Sequence, residues 1–276
     1  GNTMATPADK VSDSLPAVSY DVSEQIATIS FNRPEKQNTI SGAMLNTLSE
    51  YLLKADTDND VRAIIVTGTG RFFCAGLDLR GDSDIGSGLS NQSNNSVNLD
   101  LRNTPPTVLH NLDTPTICAL NGSAAGYGMD LALGCDIRLM ADGAKMAAAF
   151  TARGVVPESG GTWILPRLLG WSKAAELIFT GRTLPAAECE SLGLVSHVVP
   201  ADEIHQAARD LALEIATNAP LAVQASKRMM RMGMNENFND HVHHVFLQLL
   251  PLFRSEDFRE GMASFMEKRK AEFKGR

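Results

Sequence analysis

The chain has 276 residues, of which 43% are hydrophobic, and a formal net charge of −7. This length and apolar content suit one domain with an appendage rather than several domains. The acidic balance argues against a general nucleic-acid binder, and no apolar run is long enough to span a membrane. We expect a cytoplasmic protein, because no signal peptide or transit sequence is visible and the four cysteines lack C-x-x-C spacing.

The first part of the chain is predicted to begin in disorder and then to form strands and a helix. Residues 1–16 are polar and lack periodicity, so we expect them to be disordered. Residues 18–22 and 26–31 are predicted to pair as two strands, and a polar loop interrupted by proline follows at 32–38. A helix comes next, because apolar residues fall on one face at a spacing of 3.6 residues: Met44, Leu45, Leu48 and Leu52.

Two strands in the middle of the chain each run into a turn made of small residues. A strand is predicted at 62–68, and Phe-Phe-Cys-Ala-Gly-Leu follows it at 72–77. Another strand is predicted at 116–120, and it ends at Asn-Gly and a run of small residues that contains Gly126 and Gly128. The segment after these glycines is predicted to be a short buried helix.

Glycines between a strand and a helix allow the backbone to approach a ligand closely and to direct N–H groups at it. For the turn at 121–128 alone, a role in packing explains the glycines equally well, because glycine-rich turns are common. The spacing is neither that of a Walker phosphate loop nor the dinucleotide-binding G-x-G-x-x-G. Two such turns could, however, each present one peptide N–H to the same oxygen and so form an oxyanion hole.

The rest of the chain divides into a mixed region and a helical region. Residues 81–98 are dense in Gly, Ser, Asn and Asp, which predicts a mobile loop. From residue 201 the chain is predicted to be wholly helical, with breaks at Pro220, Gly233 and Pro251. The remaining predictions are strands at 136–140, 145–150 and 195–199, and helices at 160–169, 173–179, 187–191, 201–217, 220–233, 235–250 and 256–270.

Several motifs together resemble the signature of the enoyl-CoA hydratase/isomerase (crotonase) family. The segment 265–270 is also similar to the C-terminal segment with which this family contacts coenzyme A. The resemblance extends in one register over about residues 17–273. The motifs that carry it are Phe-Cys-Ala-Gly-Leu-Asp at 73–78, Asn-Gly-x-Ala-x-Gly-x-Gly at 121–128, Cys-Asp at 135–136 and Pro-Glu-Ser-Gly-Gly at 157–161.

The resemblance implies an α/β fold, namely a crotonase (ClpP-like) spiral of ββα turns with a C-terminal helical trimerisation region. Together with the polar N-terminus and the compositional shift at residue 201, it divides the chain into a disordered N-terminus at 1–16, a crotonase-fold core at 17–200 and a helical region at 201–276. It implies an acyl-CoA substrate, with coenzyme A as part of that substrate and no separate cofactor. The implied assembly is a homotrimer or a hexamer built as a dimer of trimers.

The resemblance also assigns residues to coenzyme A. A cation suits phosphate, and Arg33 in the loop at 32–38 is one candidate, although a solvated surface charge is nearly as good an explanation. Phe265 and Lys268 are expected to reach coenzyme A bound to an adjacent subunit. The complete set of expected coenzyme A contacts is Arg33, Ala75, Asp78, Arg80, Phe265 and Lys268.

Chemistry next to a thioester forms an enolate, which two N–H donors aimed at the thioester oxygen can stabilise by about 3–4 kcal/mol each. In the family register these donors are the backbone N–H groups of Leu77 and Tyr127. Tyr127 stands where glycine is frequent, but only its backbone is required. Its side chain either shapes the pocket or packs in the interior.

Two carboxylates in the motifs are candidates for proton transfer. Glu158 matches the acid of several isomerases of the family. A helix-capping role is the competing explanation for it. Asp130 matches the first acid of the hydratases, where glutamate is usual, and a catalytic role and a structural role are equally well supported.

Phe150 stands where the second glutamate of the hydratases is expected, and it can neither activate water nor deliver a proton. A single carboxylate suffices for a 1,3-proton shift, so an enoyl-CoA isomerase with Glu158 as acid and base is the first hypothesis, with Phe150 lining the acyl pocket. Hydration by Asp130 and Glu158 is the alternative, and a non-catalytic protein that binds coenzyme A or RNA is a third. No metal site is predicted, because the histidines at 241, 243 and 244 lack H-E-x-x-H spacing.

Overall fold

The computed structural model describes residues 15–80, 82–85, 101–157 and 159–276. The predicted disorder at 1–16 therefore lies outside the described residues except for its last two positions. The predicted loop at 81–98 also lies outside them, apart from residues 82–85, and so does the candidate acid Glu158.

Within the described residues, the strands form two sheets that are mostly parallel. The larger sheet has the order β1-β2-β3-β5-β7-β10, in which only β1 is antiparallel to its neighbour. The smaller sheet has the order β4-β6-β8-β9, with β9 antiparallel to β8. The strands are β1 Val18–Ser23, β2 Ile26–Phe31, β3 Ala63–Gly68, β4 Phe72–Cys74, β5 Thr116–Leu120, β6 Ser123–Ala125, β7 Ile137–Ala141, β8 Lys145–Ala147, β9 Thr183–Pro185 and β10 His197–Val199.

The α-helices surround these sheets and account for most of the C-terminal third. The helix at 105–111 was not predicted. The bounds of the others follow the predicted helices within a few residues, because the apolar periodicity and the Pro and Gly boundaries are local signals. The helices are α1 Gly42–Thr57, α2 Pro105–Asn111, α3 Tyr127–Gly134, α4 Gly161–Leu169, α5 Trp171–Thr180, α6 Ala186–Ser191, α7 Ile204–Ala216, α8 Pro220–Gly233, α9 Phe238–Phe253 and α10 Glu256–Glu267.

The larger sheet is buried on both faces, which explains why its central strands are continuous apolar runs. In β3, Ala63 and Ile65 face one cluster, in which α7 packs through its alanines. Ile64 and Val66 face the main core, which α1, α3 and the smaller sheet share. The first helix of the region after residue 200 thus packs on the sheet directly.

Two local predictions are wrong. The strand predicted at 145–150 ends at Ala147, because Phe150 adopts helical backbone angles and a short 3-10 helix, Thr151–Arg153, follows it. The predicted break at Pro251 does not occur, and α9 continues to Phe253. Pro251 lies two residues before the end of that helix, so it removes one hydrogen-bond donor from the helix and only two residues follow it there.

The smaller sheet and α3 are joined by glycines that contact backbone directly. A Cβ atom at Gly122 would lie 1.8 Å from the carbonyl oxygen of Arg71, and one at Gly128 would lie 2.2 Å from that of Cys74. Real Cβ atoms cannot approach so closely, so only glycine allows β6 and α3 to lie against β4. The sequence left open whether these glycines serve packing, and this contact shows that they do.

We expect Gly128→Ala to destabilise the fold by about 1–3 kcal/mol or more, since the added methyl group must displace the backbone of β4. Gly143→Ala is the matched control, because a Cβ atom at that turn meets no atom within 4 Å. Urea denaturation of both variants measures the difference. Equal free energies of unfolding for the two variants would contradict the close contact described above.

Candidate active site

The two glycine turns lie side by side at one edge of the smaller sheet. Strands β4 and β6 are parallel neighbours, so the turns that follow them emerge at the same edge. Gly76 and Gly126 both have positive φ, at 118° and 54°, which is backbone that glycine adopts readily. A Cβ atom at Gly76 would lie 3.4 Å from the carbonyl oxygen of Ala125 and 4.0 Å from the amide nitrogen of Tyr127.

The Leu77 N–H points away from Ile40, because in a trans peptide it lies opposite the Gly76 oxygen that bonds Ile40. Ile40 N–H donates to the Gly76 oxygen, and Asp78 N–H donates to the Ile40 oxygen, both at 2.9 Å. The Gly76 oxygen and the Asp78 N–H make these two hydrogen bonds, and the Leu77 N–H takes no part in them. Tyr127 is the first residue of α3, directly after Gly126.

The side chains beside these amides are apolar and buried. The Tyr127 ring belongs to the main core, so it packs in the interior, which the sequence had left open. Phe150 is 5% exposed, and a Cβ atom at Gly126 would lie 4.0 Å from its ring. Phe150 therefore lies against the turn that carries the Tyr127 amide.

Asp130 lies one turn into α3 and is 3% exposed. Its Oδ2 atom accepts a hydrogen bond of 2.6 Å from the Ser159 hydroxyl group. Pro157 and Ser159, the chain neighbours of Glu158, are both buried. The structure thus brings Asp130 to the segment that contains the other candidate acid, while Glu158 itself lies outside the described residues. Sequence reasoning missed Ser159, which carries no signal beyond its place in the Pro-Glu-Ser-Gly-Gly motif.

A charged groove of about 280 Å³ lies beside the Leu77 turn. It brings together Arg33, Asp78 and Arg80, three of the residues expected at coenzyme A. Lys36 and Asp84 also line it, and no motif in the sequence singles them out. Asp84 accepts hydrogen bonds from the N–H groups of Gly42 and Ala43 and so caps α1.

Asp78 holds the two arginines of this groove. Its carboxylate, 4% exposed, accepts 2.9 and 2.7 Å hydrogen bonds from Arg80 and a 3.3 Å bond from Arg33. These bonds, chiefly that of Arg80, hold the pKa of Asp78 well below its usual range. Arg33 also donates to the Thr39 oxygen, so it is a fixed residue rather than a solvated surface charge.

The other expected contacts of coenzyme A lie outside the lining of this groove. Ala75 is half-buried and donates its N–H to the Gln37 oxygen at 3.1 Å. Phe265 and Lys268 lie at the end of α10 and are exposed, Phe265 by 79%. Their roles stay predictions.

Two of the three histidines of α9 contact an acid. The Nδ1 atoms of His241 and His244 lie 2.5 and 2.6 Å from the carboxylate oxygens of Glu236. In the part of the chain that the structure describes, no group of three or more His, Cys, Asp or Glu side chains is placed to hold a metal ion. The same residues include no helix long and apolar enough to cross a membrane.

Comparisons with known proteins agree on one family. The family model described as enoyl-CoA hydratase/isomerase matches residues 21–276. The chain is 34% identical over 257 residues to 1,2-epoxyphenylacetyl-CoA isomerase of Escherichia coli, covering 92% of this chain and 97% of that protein. It is 31% identical over 256 residues to 2,3-dehydroadipyl-CoA hydratase of the same organism, covering 92% and 96%.

Comparison of the structure with solved structures gives the same result. It matches the crystal structure of enoyl-CoA hydratase from Bacillus anthracis with a TM-score of 0.85 and 32% identity, covering 95% of this chain and all of that one. This similarity confirms the predicted crotonase fold. Relatives of similar identity thus include both an isomerase and hydratases.

We expect Asp78→Asn to lower the free energy of unfolding at neutral pH. We also expect the free energy of unfolding of this variant to fall less than that of wild type as the pH is lowered. The folded pKa of Asp78 is depressed, so its contribution is fully present above the ordinary carboxyl pKa of about 4 and is lost as the pH falls through the lower folded value. The free energy of unfolding, measured from pH 7 to strong acid, tests this.

In that experiment, the difference in the free energy of unfolding between wild type and Asp78→Asn should become smaller as the pH falls. Asp21→Asn, which removes an exposed acid of β1, is the control and should follow wild type. An Asp78→Asn curve that superimposes on the wild-type curve would show that the two arginines do not stabilise the carboxylate.

Proposed function

Since the chain belongs to the enoyl-CoA hydratase/isomerase family and acts on acyl-CoA, we propose that it shifts a double bond in an enoyl-CoA through a thioester enolate. The observation that carries this proposal is Phe150. Its ring is buried against Gly126, at the position where the family resemblance expects the second acid of a hydratase. Addition of water needs one group to activate the water and another to supply a proton, and a phenyl ring does neither.

The proposed oxyanion hole consists of the N–H groups of Leu77 and Tyr127. Their support is the contact between the two turns, in which Gly76 approaches both Ala125 and Tyr127. Donors that the fold holds in place stabilise the negative charge on the thioester oxygen without reorganising during the reaction. Phe150 next to this oxygen excludes water, which strengthens these hydrogen bonds.

The proposed proton carrier is Glu158. Its carboxylate takes a proton from C2 of a 3-enoyl thioester, and the electron pair of that C–H bond moves onto the thioester oxygen. The carboxylate then returns the proton to C4 as the double bond forms between C2 and C3. One acid therefore completes the reaction, and no water or cofactor is consumed.

The proposed coenzyme A site is the charged groove beside Leu77. Its support is that Arg33 and Arg80 lie there with fixed geometry on Asp78, and Arg80 is half-exposed and thus accessible to a phosphate. Ala75, Phe265 and Lys268 belong to the proposal by family resemblance. All four cysteines are free and buried, which fits the proposed cytoplasmic location.

We expect the protein to convert a 3-enoyl-CoA to the conjugated 2-enoyl-CoA, seen as a rise in thioester absorbance. Crotonyl-CoA should keep its absorbance, because loss of conjugation reports hydration. Loss of the crotonyl-CoA signal without isomerisation would replace the proposal with hydration by Asp130 and Glu158. No change with either substrate, together with bound coenzyme A, would indicate a binding protein.

We expect Glu158→Gln to lower kcat for isomerisation about 100- to 10,000-fold, because the amide cannot carry the proton. Glu176→Gln, which removes an exposed acid of α5, is the control and should keep wild-type turnover. Coenzyme A binding by both variants, measured by calorimetry, excludes misfolding as the cause. Full turnover by Glu158→Gln would remove that residue from the reaction.

We also propose that the chain assembles as a homotrimer or as a dimer of trimers. The support is α9, a helix of 16 residues without a buried residue. A surface of this apolar content in one chain indicates a contact with other chains. Its exposed apolar side chains are Phe238, Val242, Val245, Phe246, Leu247, Leu250 and Phe253.

We expect Leu247→Glu to dissociate the assembly, because it places a charge in the apolar contact. Leu53→Glu is the matched control, since Leu53 is an exposed leucine on α1, far along the chain from this helix. Analytical ultracentrifugation of wild type and both variants measures the mass. A wild-type protein that sediments as a monomer would contradict the proposed assembly.

A further inference from the structure

The carboxylate of Asp130 is committed to hydrogen bonds within the protein. Oδ2 accepts from the Ser159 hydroxyl at 2.6 Å and from the Gly161 N–H at 3.3 Å. The donors are 29 and 31 positions further along the chain. All three residues are buried, so water does not compete for these bonds. The carboxylate therefore ties α3 to the turn that leads into α4.

Among the described residues, the position directly before α4 provides no side-chain cap. The residue before α4 is Gly160, which has a φ of 107° and provides no side-chain hydrogen bond. Asp130 supplies the missing acceptor from another helix, at an end where a negative charge is favourable. Asp130, which lies on α3, thus acts as the N-terminal capping acceptor of α4.

The fit around the carboxylate is close. A Cβ atom at Gly161 would lie 2.6 Å from Oδ1 of Asp130 and 3.0 Å from Cβ of Pro157. A glutamate at position 130 would place one more methylene group in this space. The shorter acid, which departs from the glutamate usual in the family, is therefore the one that fits between α3 and the turn.

We infer that Asp130 is a positioning residue, whose buried carboxylate holds Ser159 and Gly161, the residues that follow the proposed acid in the chain, rather than exchanging protons with the acyl group. This inference rests on the proposed function, in which that acid moves the proton. Asp130 also lies three residues after Tyr127 in α3, so the helix that carries an amide of the proposed oxyanion hole also carries the contact with Ser159. A displacement of about 1 Å at a reacting group lowers rates about 100-fold.

Two substitutions of Asp130 separate positioning from proton transfer. Asparagine retains an oxygen that accepts from Ser159, so Asp130→Asn should keep most of kcat and the wild-type pH profile. Asp130→Ala and Ser159→Ala should each lower kcat about 10- to 100-fold with little change in KM. The double variant should be no worse than Asp130→Ala alone, because both changes remove one contact.

The opposite pattern would overturn the inference. If Asp130 transfers protons, Asp130→Asn loses turnover as fully as Asp130→Ala and one limb of the pH profile disappears. Ser159→Ala then stays near wild type, because the hydroxyl takes no part in proton transfer.

Amide hydrogen exchange tests the same contact without substrate. In Asp130→Ala and Ser159→Ala, peptides that cover residues 157–165 should exchange at least about tenfold faster than in wild type. Ser255→Ala is the matched control: it removes the hydroxyl that caps α10 at 3.0 Å, so faster exchange should be confined to α10. Unchanged exchange at 157–165 would disprove the positioning role even if turnover fell.

This measurement also separates the two proposals. If Glu158→Gln keeps full turnover, the isomerase mechanism fails, while faster exchange in Asp130→Ala still establishes the contact with the turn. If exchange is unchanged and Glu158→Gln is inactive, the mechanism stands and the role given to Asp130 is wrong.

Discussion

The direct contact of glycine with backbone, where β6 and α3 meet β4, is the constraint on which the candidate site depends. Any side chain at Gly122 or Gly128 would overlap the carbonyl group of Arg71 or Cys74. Because these contacts set how closely β4 and β6 approach, they also set the distance between the turns that follow both strands. The pair of amides at Leu77 and Tyr127 is therefore a consequence of packing in the sheet.

The helix that follows the second turn is held at both ends. Arg138, buried in β7, donates to the carbonyl oxygens of Cys135 at 2.6 Å and Ala132 at 3.2 Å, where α3 ends. Burial lowers the pKa of this arginine, but a guanidinium stays charged in proteins and is stabilised by the helix C-terminus. Asp130 ties the first half of α3 to α4. A helix fixed in this way presents its first amide in one direction.

Charge and apolar surface are segregated in this chain. Buried or half-buried ion pairs connect the C-terminal helices to the core, as when Lys227 of α8 contacts Asp136 at 2.8 Å and two further arginines of that helix contact Asp113. Apolar side chains of α9 stay exposed. The ion pairs thus attach the helical region to the core, while apolar side chains of α9 remain on the surface of the chain.

The amino-acid sequence by itself determined the family, most strands and helices, and the two glycine turns. These are local properties: continuous apolar runs predict buried parallel strands, and glycine marks the turns that a Cβ atom would prevent. The prediction from sequence misplaced the end of the strand at 145–150, where Phe150 leads into a 3-10 helix. It also placed a break at Pro251, where the helix continues to Phe253.

Only the tertiary structure decided which side chains meet. Asp130 and Ser159 are 29 positions apart, and Arg33 and Asp78 are 45 positions apart. Neither pair has a sequence signal, because a hydrogen bond between distant segments depends on how the sheets and helices pack rather than on residue spacing. For the same reason, the sequence left the role of Asp130 open, and the burial of its carboxylate beside Gly161 supplied the evidence for positioning.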